Sequence, residues 1–267
     1  MKDISVAAVV FNAKVGSIEE NINKTAEWVK KAKINGAEII CFPEMNISGY
    51  FFKKKDSIYA KNLDVLKKIA NLAEIENVII LAGIAERSDE GQIFASHFVI
   101  ESSNKINFYR KIHIAPPEKE LFSSSDDIPV FSNNKIKFGI QLCYDAHFPE
   151  LSTKMALKGV DVIFFPHASP RKTPEEKFNS WMKHLRARAY DNSVFVVACN
   201  QVGNNENGLN FPGVGVIINP SGNIIEKYVG DKESMIISVL KEKDINHVRG
   251  HNMRYFLPNR RKLKYIY

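Results

Sequence analysis

The sequence predicts an α/β fold in which two β-sheets lie face to face with helices on their outer sides. Three observations carry this expectation. Buried apolar runs alternate with segments of helical periodicity along most of the chain. Each half contains a β-α-β pattern and then an antiparallel hairpin, the arrangement expected when two sheets are built from similar halves. Finally, 267 residues with 45% hydrophobic content suit one large domain over residues 1–267 better than two small ones.

The elements follow in order. Ile4 to Phe11 is a short apolar strand run. Ser17-Ile18-Glu19-Glu20 reads as a capping box, and Ile22, Ala26, Val29 and Ala32 then fall on one helical face. Gly36 ends that helix, and Glu38 to Phe42 is the next strand. Leu63 to Ile75 repeats the helix pattern and Val78 to Ala82 the buried strand. Two strand runs, Phe94 to Ile100 and Lys105 to Tyr109, flank the turn Ser102-Ser103-Asn104. In Ile136 to Leu142 apolar residues alternate with Lys137, Gly139 and Gln141, a strand with one buried face. A helix over 149–158 opens on Pro149, where a missing N–H costs little. The strand Val160 to Phe165, a helix over 174–191 and the strand Val194 to Ala198 follow. A last hairpin, Val214 to Asn219 and Asn223 to Tyr228, turns on Pro220-Ser221-Gly222. The run Ser234 to Leu240 and a Lys/Arg-rich tail close the chain.

Composition removes several function classes. No run of 18 apolar residues occurs, and Met1-Lys2-Asp3 leads directly into a strand, so neither a membrane span nor a signal peptide is expected; the expected compartment is the cytoplasm. Three cysteines without C-x-x-C spacing argue against a disulfide framework and a thiolate zinc site. The net charge of +7 comes from scattered groups such as Lys53-Lys54-Lys55 and Arg260-Arg261-Lys262-Lys264. Without a basic stripe interleaved with aromatics, it reads as a solvated surface and not as a nucleic-acid face.

The chemistry-bearing residues stand at strand ends, where ligand sites of α/β folds collect. Glu44 follows the strand ending at Phe42, Lys111 follows Tyr109-Arg110, and Cys143 follows Leu142. Cys143 sits on a turn between strand and helix, near backbone N–H groups that favour a thiolate; a buried cysteine acting as a small hydrophobe is the alternative. Cys41 and Cys199 lie within or at the end of apolar strands and read as core residues.

Phe42-Pro43-Glu44 with Ser48-Gly49-Tyr50, Tyr109-Arg110-Lys111-Ile112-His113, and Cys143-Tyr144-Asp145 with Phe148-Pro149-Glu150 together resemble the nitrilase superfamily of carbon–nitrogen hydrolases. The similarity covers nearly the whole chain, including Arg186-Ala187-Arg188-Ala189-Tyr190-Asp191-Asn192. The resemblance implies a four-layer α-β-β-α sandwich, homodimer or higher assembly through helices beside the site, and catalysis without metal or organic cofactor. It also implies a triad: Glu44 as general base, Lys111 as oxyanion-stabilising cation and Cys143 as nucleophile. Glu118 fits the position of a second glutamate better than Glu120.

Covalent amide hydrolysis asks for those residue types: a nucleophile beside a base, and a donor for the developing oxyanion. Tyr50, Tyr144, Phe148, His167 and Ser169 are the candidate substrate contacts, with the Tyr144 N–H as a further oxyanion donor implied by the resemblance. Core packing is the alternative for the aromatics, Trp181 included. His113, His147 and His167 lack the spacing of a zinc site, and Gly213-Val214-Gly215 lacks the signals of a phosphate loop. The expected function is hydrolysis of a small linear amide or N-carbamoyl compound. Nitrile hydrolysis by the same residues, and a silent binding protein, are the alternatives.

Overall fold

The structure of the protein, a computed structural model, describes residues 1–52 and 62–261. The lysines at 53–55, 262 and 264 noted above lie outside them. The strands are β1 (Ile4–Val10), β2 (Ile39–Cys41), β3 (Ile79–Arg87), β4 (Ile93–Ile100), β5 (Ile106–Arg110), β6 (Phe131–Ser132), β7 (Lys137–Ile140), β8 (Val162–His167), β9 (Phe195–Asn200), β10 (Gly203–Asn204), β11 (Asn210–Phe211), β12 (Gly213–Ile218), β13 (Ile224–Gly230) and β14 (Ser234–Leu240). The helices are α1 (Ile18–Ile34), α2 (Asn62–Glu76), α3 (Pro149–Leu157), α4 (Pro174–Asn192) and α5 (Glu242–Arg249).

Two six-stranded sheets result, ordered β14-β1-β2-β3-β4-β5 and β13-β12-β9-β8-β7-β6. Each is built around three parallel strands, β1-β2-β3 or β7-β8-β9, continued by antiparallel hairpin strands. The parallel strands are buried on both faces, which is why they read as unbroken apolar runs. Alternate residues divide between two layers. Val6, Ala8, Ile39, Cys41 and Leu81 face the second sheet, whereas Ala7, Val9, Ile40 and Ile80 face outward to Ile22 and Val29 of α1 and Ile69 of α2. On the other side Leu151 and Met155 of α3 and Leu185 of α4 pack on the second sheet. The order is α-β-β-α, as expected, and each fully buried Ile, Val or Phe contributes roughly 1.5–3 kcal/mol. Cys41 and Cys199 meet where the sheets face each other, both wholly buried, with the Cys199 thiol 3.6 Å from the Cys41 carbonyl.

The structure differs from the sequence reading in three places. Ser17 stands before α1 but makes no side-chain capping bond; its ψ of 57° takes it out of the extended geometry that points a hydroxyl at the first turn. The reciprocal capping box occurs instead at α4, where Thr173 Oγ1 accepts from Glu176 N–H and Glu176 Oε2 accepts from Thr173 N–H. The tail contains α5, whose Arg249 pairs with Asp161 at 2.9 Å and so ties the C-terminal segment to the turn before β8.

Candidate active site

Glu44 leaves the end of β2 on a turn held from both sheets. Its carbonyl accepts from Gln201 Nε2 at 2.8 Å and its Oε2 from the Ala168 N–H at 3.1 Å, so residues just past β8 and β9 aim a side chain that belongs to the first sheet. Met45 follows with φ of 54°, packed so closely on β3 that a Cβ at Gly83 would lie 2.5 Å from the Met45 nitrogen. Only glycine leaves room for that turn.

Lys111 is the first residue past β5. Its backbone N–H donates to Ala95 O, which turns the side chain inward, and the ammonium donates to Glu44 Oε1 at 2.9 Å and to both oxygens of Glu118 at 3.0 and 2.9 Å. Glu118 closes a 3₁₀ turn, Pro116–Glu118, and its carboxylate also accepts from Tyr50 Oη at 2.7 Å and the Ala115 N–H at 3.0 Å. Glu120 is exposed, so Glu118 is the glutamate that the fold brings to Lys111.

Cys143 opens a 3₁₀ turn, Cys143–His147, with φ of +42°. A left-handed backbone at a non-glycine residue costs of order 1–3 kcal/mol and persists only when its surroundings enforce it. Asp145 does so. Buried, it accepts from Tyr109 Oη at 2.7 Å, the Leu142 N–H at 3.0 Å and the His113 N–H at 2.8 Å, with His113 Nδ1 at 2.9 Å.

Cys143 and Glu118 line one cavity of about 330 Å³, together with Tyr50, Tyr144, Ser169 and Arg171. Of the five residues expected to contact substrate, Tyr50, Tyr144 and Ser169 line this cavity and Phe148 and His167 do not. Phe148 is not among the lining residues; its ring stacks on His113 at 3.6 Å and backs the Asp145 cluster. Nor is His167, which lies buried against Trp181 at 4.0 Å with Nδ1 on Phe165 O. Its desolvation holds it well below the usual histidine range. Trp181 is a core residue as well.

Residues 5–249 match the family model described as carbon-nitrogen hydrolase. The chain belongs to the carbon–nitrogen hydrolase family. Among its relatives are a nitrilase of Pyrococcus abyssi, 27% identical over 98% of this chain and 99% of that one, and an N-carbamoylputrescine amidase of Solanum lycopersicum, 27% identical over 88% and 84%. An amidase of Nesterenkonia sp. AN1 from the nitrilase superfamily has the same fold, with a TM-score of 0.82, 20% identity and coverage of 91% and 92%. That structure is of a glutamate-to-glutamine mutant of the amidase, and in it the acetamide moiety of fluoroacetamide is attached covalently to the active-site cysteine.

The electrostatics of this carbon–nitrogen hydrolase correct one expectation. The surroundings of Cys143 disfavour its thiolate. Burial and then the Glu44 carboxylate push its thiol up to about 12, more than Lys111 lowers it. Burial likewise raises Glu44 to about 7, opposed by Lys111 and assisted by Glu118. Burial alone would depress Lys111, but Glu44 and Glu118 outweigh it and hold the ammonium above its ordinary range.

Sequence reasoning missed the groups that position these side chains: Ala168 N–H, Gln201, and the donors gathered on Asp145. Gln201 ends an apolar strand as Glu44 does, which was the available signal. The cavity residues Arg171, Pro117 and Leu209 come from loops without periodicity.

Proposed function

We propose that this carbon–nitrogen hydrolase cleaves a small linear amide or N-carbamoyl compound through a Cys143 thioester. The observation that carries the reading is the Lys111 ammonium bridging Glu44 and Glu118 without solvent contact, beside the cavity that Cys143 lines.

Glu44, poised near neutrality, takes the Cys143 proton as sulfur attacks the carbonyl carbon. Charge moves to the substrate oxygen, which Lys111 and the Tyr144 N–H stabilise; one such donor is worth about 10²–10³ in rate. Collapse breaks the C–N bond, and Glu44 passes its proton to the departing ammonia or amine. Glu44 then deprotonates a water that attacks the thioester, and the acid leaves as Cys143 regains its proton. Glu118 does not transfer protons in this scheme: it holds Lys111 with a second carboxylate, and Tyr50 holds Glu118. The covalent adduct on the cysteine of the Nesterenkonia amidase supports the nucleophile assignment.

The Pyrococcus relative named a nitrilase supports a second substrate type for the same residues. Ammonia release across amides, N-carbamoyl compounds and nitriles separates the two. Turnover by Cys143→Ala equal to that of the wild type would overturn both. We also propose pairing of two copies through α3 and α4, which leave Leu157 and Tyr190 exposed; light scattering is expected to give a dimer, and a monomer alone at micromolar concentration would remove this part.

A further inference from the structure

The Cys143 cavity has one charge sign left over. Glu118 is spent on Lys111, Tyr50 and the Ala115 N–H, and Glu44 on Lys111 and the Ala168 N–H. Asp145 is spent on Tyr109, His113 and Leu142. Two cations, one lining the cavity and one behind its lining, have no such partner among the described residues. Arg171 lines the cavity, and among the described residues no carboxylate pairs with it. Lys177, 7% exposed on the first turns of α4, is not itself a lining residue but donates to two that are, Ser169 Oγ at 2.6 Å and Pro170 O at 3.0 Å, and among the described residues no carboxylate pairs with it. An ammonium has three N–H donors, so one remains for a ligand. The loop that carries Arg171 is held in a costly backbone: Arg171 and Lys172 have φ of +68° and +72°, and the Arg171 N–H is fastened to Asn210 O. Two successive non-glycine residues in that region each carry a backbone strain cost.

We infer that the substrate carries a carboxylate at the end away from the scissile C–N bond, received by Arg171 in the Cys143 cavity with the Lys177 ammonium behind Ser169 and Pro170. This rests on the amidase reading given above and names the substrate class for it. A guanidinium fork and a nearly buried ammonium together suit a carboxylate, because a planar anion with two oxygens can take both. A substrate ending in an ammonium would meet like charge there, and a neutral one would leave Lys177 uncompensated at low exposure. Arg171 and Lys177 do not touch the bond being broken; their part is specificity.

The test uses the full chain with succinamate, glutaramate and adipamate against butanamide, pentanamide and hexanamide, and with 5-aminopentanamide as the cationic probe. At least one ω-amide is expected to exceed its neutral counterpart in kcat/KM by about tenfold or more, the scale of a charge-assisted hydrogen bond, with 5-aminopentanamide the poorest. Arg171→Gln and Lys177→Met should each collapse that ratio, mainly through KM on the acid, and Arg171→Lys should keep part of it. Equal kcat/KM for the acid, neutral and cationic amides, or equal loss on all of them in Arg171→Gln, would overturn the inference and leave the two side chains a structural role. A second arm is independent of turnover. Succinate, glutarate and adipate, the product diacids, are titrated calorimetrically into Cys143→Ala with and without Arg171→Gln. Binding that Arg171→Gln abolishes supports the inference even if no amide is hydrolysed, in which case it is the amidase reading that has failed. No binding by any diacid, beside hydrolysis of neutral amides, sinks the inference and leaves that reading standing.

Discussion

The Lys111 ammonium lies 2.9 Å from Glu44 Oε1, and neither side chain reaches solvent although 67 residues separate them. Burial raises the carboxylate to about 7 despite the cation, so near neutral pH Glu44 divides between its two forms. In the proposed mechanism only the carboxylate accepts the Cys143 proton. The value of kcat/KM is therefore expected to rise with pH through about 7 and level off above it, and Glu44→Gln should remove that limb together with most of the activity. A flat profile between about pH 6 and pH 8, roughly one unit either side of the raised value, would speak against Glu44 as the base.

Lys111→Ala leaves two buried carboxylates facing each other. Removing one member of a buried ion pair costs about 3–5 kcal/mol, because the remaining charge is stranded. The sign with pH is defined. Glu44, already raised to about 7 with the cation beside it, would titrate still further above its unfolded value near 4.3, so the folded state binds more protons and loses stability as pH rises. Thermal unfolding of Lys111→Ala should show a larger deficit at pH 8 than at pH 5, alongside a fall in kcat. An equal deficit at both values would mean that the ammonium does not neutralise these carboxylates.

Cysteine alkylation separates reactivity from burial. Cys41 and Cys199 are wholly buried, whereas Cys143 lines the cavity. Iodoacetamide on the folded protein should modify Cys143 alone, as read by peptide mass spectrometry. With its thiol held up at about 12, the rate should depend on Glu44 as proton acceptor and slow markedly in Glu44→Gln. An unchanged rate in that variant would point to a thiolate formed without Glu44.

Asp145→Asn tests the turn that carries Cys143. Both carboxylate oxygens face donors: Tyr109 Oη and the Leu142 N–H on one, His113 N–H and its ring on the other. Either orientation of an amide sets an NH₂ against an N–H or O–H donor, a loss of about 1–3 kcal/mol. Denaturant unfolding should show that loss, and kcat should fall with it because the Cys143 backbone loses what enforces its φ of +42°. Full activity in Asp145→Asn would mean that the turn holds itself.

Much of this protein was legible in its residues. Strands buried on both faces announce themselves as apolar runs, and Glu44, Lys111 and Cys143 each stand just past a strand, where the chain leaves a rigid element. Family motifs around those three residues carried the reading to a class of reaction. What only the tertiary structure decided depends on residues distant in sequence. Pairing of β14 with β1, Ile4 opposite Leu240, follows from which sheet edge is free once the halves close, and no local pattern encodes that. The expected cap at Ser17 fails and the one at Thr173 forms because a cap depends on the approach of the preceding chain, not on residue type alone. Phe148 and His167 turn from the cavity because neighbouring rings, His113 and Trp181, offer them a packed face. The thiol of Cys143 moves up, not down, because desolvation and the facing Glu44 carboxylate outweigh the ammonium of Lys111. That balance is a property of the shell around the sulfur, and the shell exists only when the two sheets have come together.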